Sequence, residues 1–177
     1  MTRRSCQTLD GMLGVVAGHT KTQRERAALD HFLTVSGVDV IAGSVVPLTG
    51  EALPDFECST SAGDKFAIEV TSICAEEIAV LIRNATNGVD GVAWTANPAA
   101  RILQQKLVKQ YRYAKPIDLL CYWDARVVAT DDMLLPEMRA ALQSTSGPFR
   151  RVWYDGEETV YVLRDAVLHQ VRADRET

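Results

Sequence analysis

Hydrophobic and polar residues alternate in two neighbouring runs of the chain, Pro54–Ser59 and Lys65–Ser72. A period of two residues is typical of β-strands that bury one face, so the runs predict a β-hairpin. A three-residue loop with Gly63 in the left-handed region would join the strands in one fixed register. In that register Asp55 lies directly opposite Glu69.

The predicted hairpin has one apolar face and one acidic face. Alternation places Phe56, Cys58, Phe66, Ile68 and Val70 on the first face, and Asp55, Glu57, Ala67, Glu69 and Thr71 on the second. Opposed like charges destabilise a sheet, so the acidic face is either solvated or neutralised by a cation. Two converging carboxylates suit Mg²⁺, which keeps several waters and needs only one or two carboxylates from the protein.

A helix is predicted before the hairpin. Thr22-Gln23-Arg24-Glu25 has the capping-box pattern and starts a helix that runs to Ser36 and ends at Gly37. Glu25 lies within the inward stripe of this helix, which Leu29, Phe32 and Leu33 define. It therefore has two interpretations: it caps its own helix, or it points towards the hairpin. Next, the β-branched residues of Val38–Leu48 predict a first strand, with a bulge at Gly43.

The rest of the chain predicts a helix over Cys74–Ala85, a polar loop containing Trp94, and a helix from Asn97-Pro98 to the residue before Pro116. Further predicted elements are a fully buried strand over Pro116–Asp124, a helix over Thr130–Gln143 in which Pro136 bends or delays the start, and a hairpin of Phe149–Asp155 and Glu157–Leu163 with a two-residue turn at Asp155-Gly156.

The predicted helix after Asn97 contains the local cluster of basic residues in this acidic chain. Its inward stripe is Leu103, Leu107 and Ala114, and Lys106 and Gln110 lie beside that stripe. Lys106 either extends along apolar surface to solvent or reaches the carboxylates of the hairpin. The other cations of the helix, either solvated or following a phosphate backbone, are Arg101, Lys109, Arg112 and Lys115.

Composition limits the classes of function. The chain has 177 residues, of which 47% are hydrophobic, and this favours one domain over residues 21–165, with an N-terminal arm (1–20) and a C-terminal tail (166–177). A net charge of −4 gives no global field that attracts nucleic acid, so any such contact needs a local basic patch. Four cysteines without CxxC spacing, together with the lack of a signal sequence or membrane span, predict a cytoplasmic protein.

Pro54-Asp55, followed after thirteen residues by Glu69-Val70-Thr71, resembles the active-site signature of the PD-(D/E)XK nuclease superfamily. The resemblance extends over Thr22–Asp124. It implies a restriction-endonuclease-like α/β fold with an αβββαβ core, in which helices flank a mixed central sheet, followed here by a C-terminal helix and hairpin. It also implies that Asp55, Glu69 and the main-chain carbonyl of Val70 bind Mg²⁺ or Mn²⁺ and that the protein hydrolyses phosphodiester bonds of nucleic acid, with DNA favoured.

The signature departs from the superfamily at one position, because Thr71 stands where a lysine is usual. A lysine on a neighbouring helix can replace it within the superfamily, which makes Lys106 the candidate, with Glu25, Thr71 and Gln110 as further contributors. Arg101, Lys109 and Arg112 would contact nucleic acid. Two alternatives stay open: a catalytically inactive module of the same fold that binds or assembles, and an α/β protein-interaction domain. The sequence also leaves a homodimer open.

Overall fold

The computed structural model describes residues 20–73, 98–123 and 129–165. These residues form an α/β fold in which three helices flank one mixed sheet of six strands, and this confirms the predicted class at that level. The helices are α1 (Lys21–Val35), α2 (Pro98–Val108) and α3 (Asp131–Ser144). The strands are β1 (Val46–Pro47), β2 (Phe56–Ser59), β3 (Lys65–Ser72), β4 (Ile117–Tyr122), β5 (Arg151–Asp155) and β6 (Val160–Asp165).

The strands lie in the sheet in the same order as in the chain. The pairs β1–β2, β2–β3 and β5–β6 are antiparallel, whereas β3–β4 and β4–β5 are parallel. Parallel neighbours need a crossover connection, and α2 and α3 lie on these two crossovers. Side chains of α2 and α3 pack into one apolar cluster and those of α1 pack into another, so α2 and α3 share one face of the sheet and α1 covers the other.

Two apolar layers result, one on each face of the sheet. Leu103 and Leu107 of α2 pack with Leu119 and Tyr154 on one side, and Leu29 of α1 packs on the other side in a second cluster. Strand β4 is buried along its whole length, as its strongly apolar sequence predicted, and its one acid, Asp118, pairs with Arg150. Any side chain of β3 that points towards α2 is therefore covered by protein.

The predicted hairpin register is confirmed. Phe56 pairs with Ile68, and beyond the strand ends the Thr60 N–H donates to the Asp64 carbonyl at 2.8 Å. The loop between Thr60 and Asp64 has three residues, and its last one, Gly63, has φ +86°. The turn chemistry and the alternation therefore agree, and together they fix which residues share a face.

The predicted first strand, Val38–Leu48, is wrong for most of its length, since only Val46 and Pro47 pair with β2. The chain turns at Gly43, where φ is +82°, instead of forming a bulge. The Ser44 hydroxyl then takes the place of a backbone partner: it accepts from the Ser59 N–H at 3.1 Å. The Ile41 N–H also donates to the Ser59 carbonyl at 2.9 Å, so the segment before β1 meets the end of β2 through single bonds and not through a ladder.

Helix α1 begins earlier than predicted. Thr20 accepts from the Gln23 N–H, and the Gln23 side chain accepts from the Thr20 N–H, so the capping box is Thr20–Gln23. The overlapping pattern that starts at Thr22 is not used. Glu25 is thereby released from capping and lies buried in the first turns of the helix.

Helix α2 ends at Val108, several residues before the predicted end. The next residues make tertiary contacts that a helix could not provide: the Arg112 N–H donates to the Ala52 carbonyl at 2.8 Å, and the Tyr111 ring packs edge-on against Phe149. Ala114 is exposed rather than part of the inward stripe. The basic residues after Val108 are consequently not on a helix.

Two smaller predictions about the C-terminal part need correction. The final hairpin pairs Asp155 with Val160, and the Gly156 N–H donates to the Thr159 carbonyl at 3.0 Å, so the two-residue turn lies at Glu157-Glu158 and not at Asp155-Gly156. Pro136 does not delay the last helix, which starts at Asp131 and contains the proline. The predicted helix Cys74–Ala85, the loop with Trp94, residues 1–19 of the arm and residues 166–177 of the tail lie outside the described residues. No helix among those described is long and apolar enough to cross a membrane.

Gly63 offers a test of the hairpin. A Cβ at this position meets no atom within 4 Å, so Gly63→Ala introduces backbone strain without a clash. We expect this variant to lose about 1–2 kcal/mol of unfolding free energy, the ordinary cost of a left-handed L-residue. Gly63→Asn, which tolerates this conformation, should lose clearly less. Urea denaturation measures both, and an alanine variant as stable as the wild type would contradict the turn assignment.

Candidate functional site

Asp55 and Glu69 lie where the β2–β3 register, continued by one residue beyond the strand, sets them opposite each other. The backbone carbonyl of Asp55 accepts from the Leu48 N–H at 2.9 Å, so the backbone of Asp55 faces β1 and not β3. Opposed residues of this kind form a non-hydrogen-bonded pair, in which side chains lie closest. The two carboxylates thus approach each other on the face covered by α2.

The end of β2 exposes one backbone group of β3 to the site. The Val70 N–H donates to Asp55 Oδ2 at 2.8 Å, in place of a backbone acceptor. In the continued register Val70 faces Pro54, which has no N–H to offer. Because the N–H and C=O of one strand residue point to the same neighbour, the Val70 carbonyl also faces the Asp55 side. It has no ladder donor there and is suited to serve as the predicted metal ligand.

Glu69 is buried, with only 2% of its side chain exposed. Lys106 Nζ donates to Glu69 Oε1 at 2.6 Å, and Lys109 Nζ donates to the same oxygen at 3.1 Å. The other oxygen, Oε2, is buried and has no hydrogen-bond partner among the described residues. The interpretation of Glu69 as part of a solvated hairpin face is therefore wrong.

Glu25 belongs to the same group of charges. It lies 6% exposed on α1, and its carboxylate is 3.4 Å from Lys21 Nζ. Burial raises the pKa of Glu25, and the negative charge of Asp55 raises it further. Burial likewise raises the pKa of Asp55, followed by the charge of Glu69. Asp55 is therefore repelled by the charge of Glu69 and itself repels Glu25, and a cation beside Asp55 would relieve this repulsion.

Lys106 also lies near Thr71, the position that a lysine would occupy in the superfamily that the sequence resembles. Thr71, the residue at that position, pairs with Cys121 across β3 and β4. Burial raises the pKa of the Cys121 thiol, and the charge of Lys106 partly opposes this effect. The ammonium group of Lys106 is thus close enough to Cys121 to influence it, although the lysine comes from α2.

The remaining predicted basic residues do not form one outer helix face. Lys109 lies on Glu69, as described above. Lys115 lies 3.0 Å from Glu57, whose carboxylate also accepts from Lys65 and Tyr113. Together Lys65, Tyr113 and Lys115 lower the pKa of Glu57 to about 2. Glu57 is therefore fully engaged and is not a candidate ligand.

Three predicted contributors have exposed positions in the described structure. Arg101 is exposed on α2, and Gln110 and Arg112 are exposed on the segment that follows the helix. Gln110 was expected beside the inward stripe; it is not, because the helix ends two residues earlier.

Tyr111 is a site residue that the sequence did not reveal. Its hydroxyl is buried without a hydrogen-bond partner among the described residues, and Lys109 Nζ lies 4.5 Å from the centre of its ring. Burial raises the pKa of Tyr111, and the charge of Glu69 and a hydrogen bond to that carboxylate add to the effect. The hydroxyl therefore lies beside Glu69, although the two groups are not aligned for a hydrogen bond of good geometry. The sequence did not indicate Tyr111 because the segment around it was predicted to be helical, and candidate residues were chosen by their position on the faces of that helix.

The residues suit a Mg²⁺-like ion, which takes few ligands from the protein, better than a metal that is held by protein ligands alone. Within residues 20–73, 98–123 and 129–165, no group of three or more His, Cys, Asp or Glu side chains is arranged to hold a metal. Mg²⁺ needs fewer protein ligands, because waters and substrate phosphates complete its shell. Glu69 Oε2, buried without a partner, is the kind of oxygen that such an ion would satisfy.

Comparisons of the chain with protein-family models, with curated proteins and with solved structures found no match. Any family resemblance therefore depends on the residues and on their geometry alone.

The raised pKa of Asp55 gives a test in metal-free buffer. An acid whose pKa is raised by folding adds stability below its ordinary pKa of 3.8, and this contribution is lost as the pH rises through the raised value. Asp55→Asn keeps an acceptor for the Val70 N–H but cannot ionise. We expect the unfolding free energy of this variant, relative to the wild type, to increase as the pH rises above 3.8 and to level off once the folded-state carboxyl group of Asp55 is ionised.

Glu57→Gln is the matched control for this series. The low pKa of Glu57 adds stability that is present above its ordinary value of 4.5 and lost as the pH falls towards about 2. The control should therefore be less stable than the wild type across the same range, without the upward trend. A flat difference for Asp55→Asn would mean that folding does not raise the pKa of Asp55.

Proposed function

We propose that this protein is a metal-dependent nuclease of the PD-(D/E)XK type, in which Lys106 of α2 supplies the positive charge that Thr71 lacks. The observation that carries the proposal is the 2.6 Å contact from Lys106 Nζ to Glu69 Oε1, on a glutamate set opposite Asp55 by the hairpin register. A lysine at the edge of an apolar helix face can extend to solvent. Its contact with a buried acid therefore indicates that its charge compensates that acid.

Three oxygens would hold Mg²⁺ or Mn²⁺: a carboxylate oxygen of Asp55, Glu69 Oε2 and the Val70 carbonyl. When bound, the metal would acidify a water and stabilise the charge that develops on a phosphodiester. The protein's own residues fix this arrangement. The Val70 N–H holds Asp55, and Lys106 holds Glu69 so that Oε2 stays free.

The local charge balance explains how an acidic protein could bind nucleic acid. Around the site, the cations Lys21, Lys106 and Lys109 contact or oppose the acids Glu25, Asp55 and Glu69. The two sets nearly cancel, so the metal-free site has little attraction for a phosphate. A divalent cation would make the site positive, and nucleic-acid binding should then depend on the metal. DNA is the favoured substrate, and RNA is the comparison.

A second candidate, the catalytically inactive module, also has a specific observation in its favour. Glu69 Oε1 already accepts from two lysines. A carboxylate paired in this way can serve packing alone, without a metal. This candidate predicts binding of nucleic acid or of a protein without turnover.

The nuclease proposal predicts metal-dependent cleavage. With Mg²⁺ or Mn²⁺, wild-type protein should cleave single- or double-stranded DNA or RNA, and chelation by EDTA should stop it. Asp55→Asn and Glu69→Gln should each lower the rate by at least about 100-fold, because each removes a charged ligand of the transition-state site. Cleavage of labelled oligonucleotides on denaturing gels measures the rates.

Glu57→Gln is the control, because it removes a carboxylate from the same hairpin face outside the site. It should keep cleavage near the wild-type rate. If both Asp55→Asn and Glu69→Gln cut as fast as this control, the carboxylates have no part in the reaction. If the wild type binds nucleic acid without cutting under all these conditions, the inactive-module alternative is favoured.

A transplanted lysine tests the role of Lys106 separately. Lys106→Met should lower cleavage strongly while preserving the apolar stem of the side chain. Adding Thr71→Lys to that variant returns an ammonium group to the strand, two residues after Glu69, and should restore part of the lost rate. Circular dichroism and thermal melting establish that both proteins are folded. A folded double variant with no recovery, beside an active wild type, would argue that Lys106 acts through packing and not through charge.

A further inference from the structure

Glu69 has one lysine more than its charge requires. Both Lys106 Nζ and Lys109 Nζ donate to the same oxygen, Oε1, at 2.6 Å and 3.1 Å. One carboxylate can neutralise one ammonium group, so the charge of the second lysine is balanced only by the other acids of the site and not by a carboxylate of its own. In the described part of the chain, no other acid is within ion-pair distance of Lys109.

The two lysines are held differently. Lys106 lies within α2 and its side chain is 21% exposed, whereas Lys109 follows the end of the helix and its side chain is 39% exposed. Lys109 Nζ also lies 4.5 Å from the centre of the Tyr111 ring, a second weak attraction that does not depend on Glu69. Lys109 can therefore leave Glu69 at lower cost than Lys106, since its bond is longer and its charge stays partly hydrated.

The geometry points to Lys109 as an exchangeable cation: it occupies Glu69 in the metal-free protein and moves to a backbone phosphate of the nucleic acid when a divalent metal binds. This inference rests on the proposed nuclease function and adds a defined role within it. A metal at Glu69 and the ammonium of Lys109 repel each other, so the arrival of the metal weakens the ion pair. A phosphodiester beside the metal then offers the displaced ammonium a new partner of opposite charge.

Such an exchange has a consequence that a simple phosphate-binding lysine does not. Lys109 competes with the metal for Glu69 but assists the nucleic acid, so its removal should move the two affinities in opposite directions. Removal of a purely structural lysine would not change metal affinity and nucleic-acid affinity in opposite directions. A lysine that only contacts phosphate would lower nucleic-acid affinity and leave metal affinity unchanged.

Lys109→Gln tests the exchange, with Lys115→Gln as the matched control. Lys115 lies on the same segment, has a similar exposure of 43% and pairs with Glu57 outside the site. Calorimetry measures binding of Mn²⁺ alone to each protein. Fluorescence anisotropy measures binding of a labelled DNA oligonucleotide in Ca²⁺, over a series of salt concentrations.

We expect Lys109→Gln to bind Mn²⁺ several-fold more tightly than the wild type and to bind DNA several-fold more weakly, with a salt slope reduced by about 1. Lys115→Gln should leave Mn²⁺ affinity unchanged. Equal behaviour of the two variants would overturn the inference, as would weaker or unchanged Mn²⁺ binding by Lys109→Gln.

The two proposals fail in different ways. If the wild type binds Mn²⁺ and cleaves DNA but the variants do not diverge, only the exchange is refuted. If the wild type binds no Mn²⁺, the nuclease proposal fails and the exchange fails with it.

Discussion

The buried ion pair between Glu69 and Lys106 is the constraint on which the rest of the site depends. Glu69 points from the middle of β3 into the layer under α2, where 2% of its side chain reaches solvent. An isolated carboxylate in such a position would be strongly destabilising, so a cation has to be supplied from within the layer. Helix α2 supplies it, and the partner oxygen Oε2 is left without a donor. Glu69 therefore affects both the stability of this layer and the chemistry proposed for the site.

The hairpin contributes an equally specific backbone arrangement. Asp55 takes over the Val70 N–H at the point where Pro54 cannot continue the ladder. The proline and the aspartate therefore act together: one leaves the carbonyl of Val70 without a strand donor, and the other binds its N–H and places a carboxylate opposite Glu69. This gives a physical reason for the order of the two residues that is independent of any family resemblance.

The sequence predicted the parts of this site that depend on local rules. The three-residue turn and the alternation predicted that Asp55 lies opposite Glu69. The position of Lys106 beside the apolar stripe of α2 indicated a contact with the carboxylates as one of two possibilities, and the structure contains this contact. Alternative capping boxes shared the same residues, so the start of α1 was two positions out. The burial of the sheet face that carries Glu69 could not be predicted from the hairpin, because it depends on α2 packing over that side of the sheet.

The predictions that were wrong depend on distant contacts. Helix α2 ends at Val108 because Tyr111 packs on Phe149 and Arg112 bonds to Ala52, both far away in sequence. With the helix shortened, Lys109 comes to Glu69 instead of pointing outwards, and Tyr111 enters the site. Helical periodicity carries no information about such contacts, which override a residue's intrinsic preference.

The central claim is that Asp55 and Glu69 share a divalent cation, and an anomalous-diffraction map of a crystal soaked in Mn²⁺ tests it most directly. The account predicts a manganese peak within bonding distance of an Asp55 oxygen, Glu69 Oε2 and the Val70 carbonyl, with Lys106 still on Glu69 Oε1. A map from the same soak with no peak between the two carboxylates, and with Oε2 bonded to a protein donor, would contradict it.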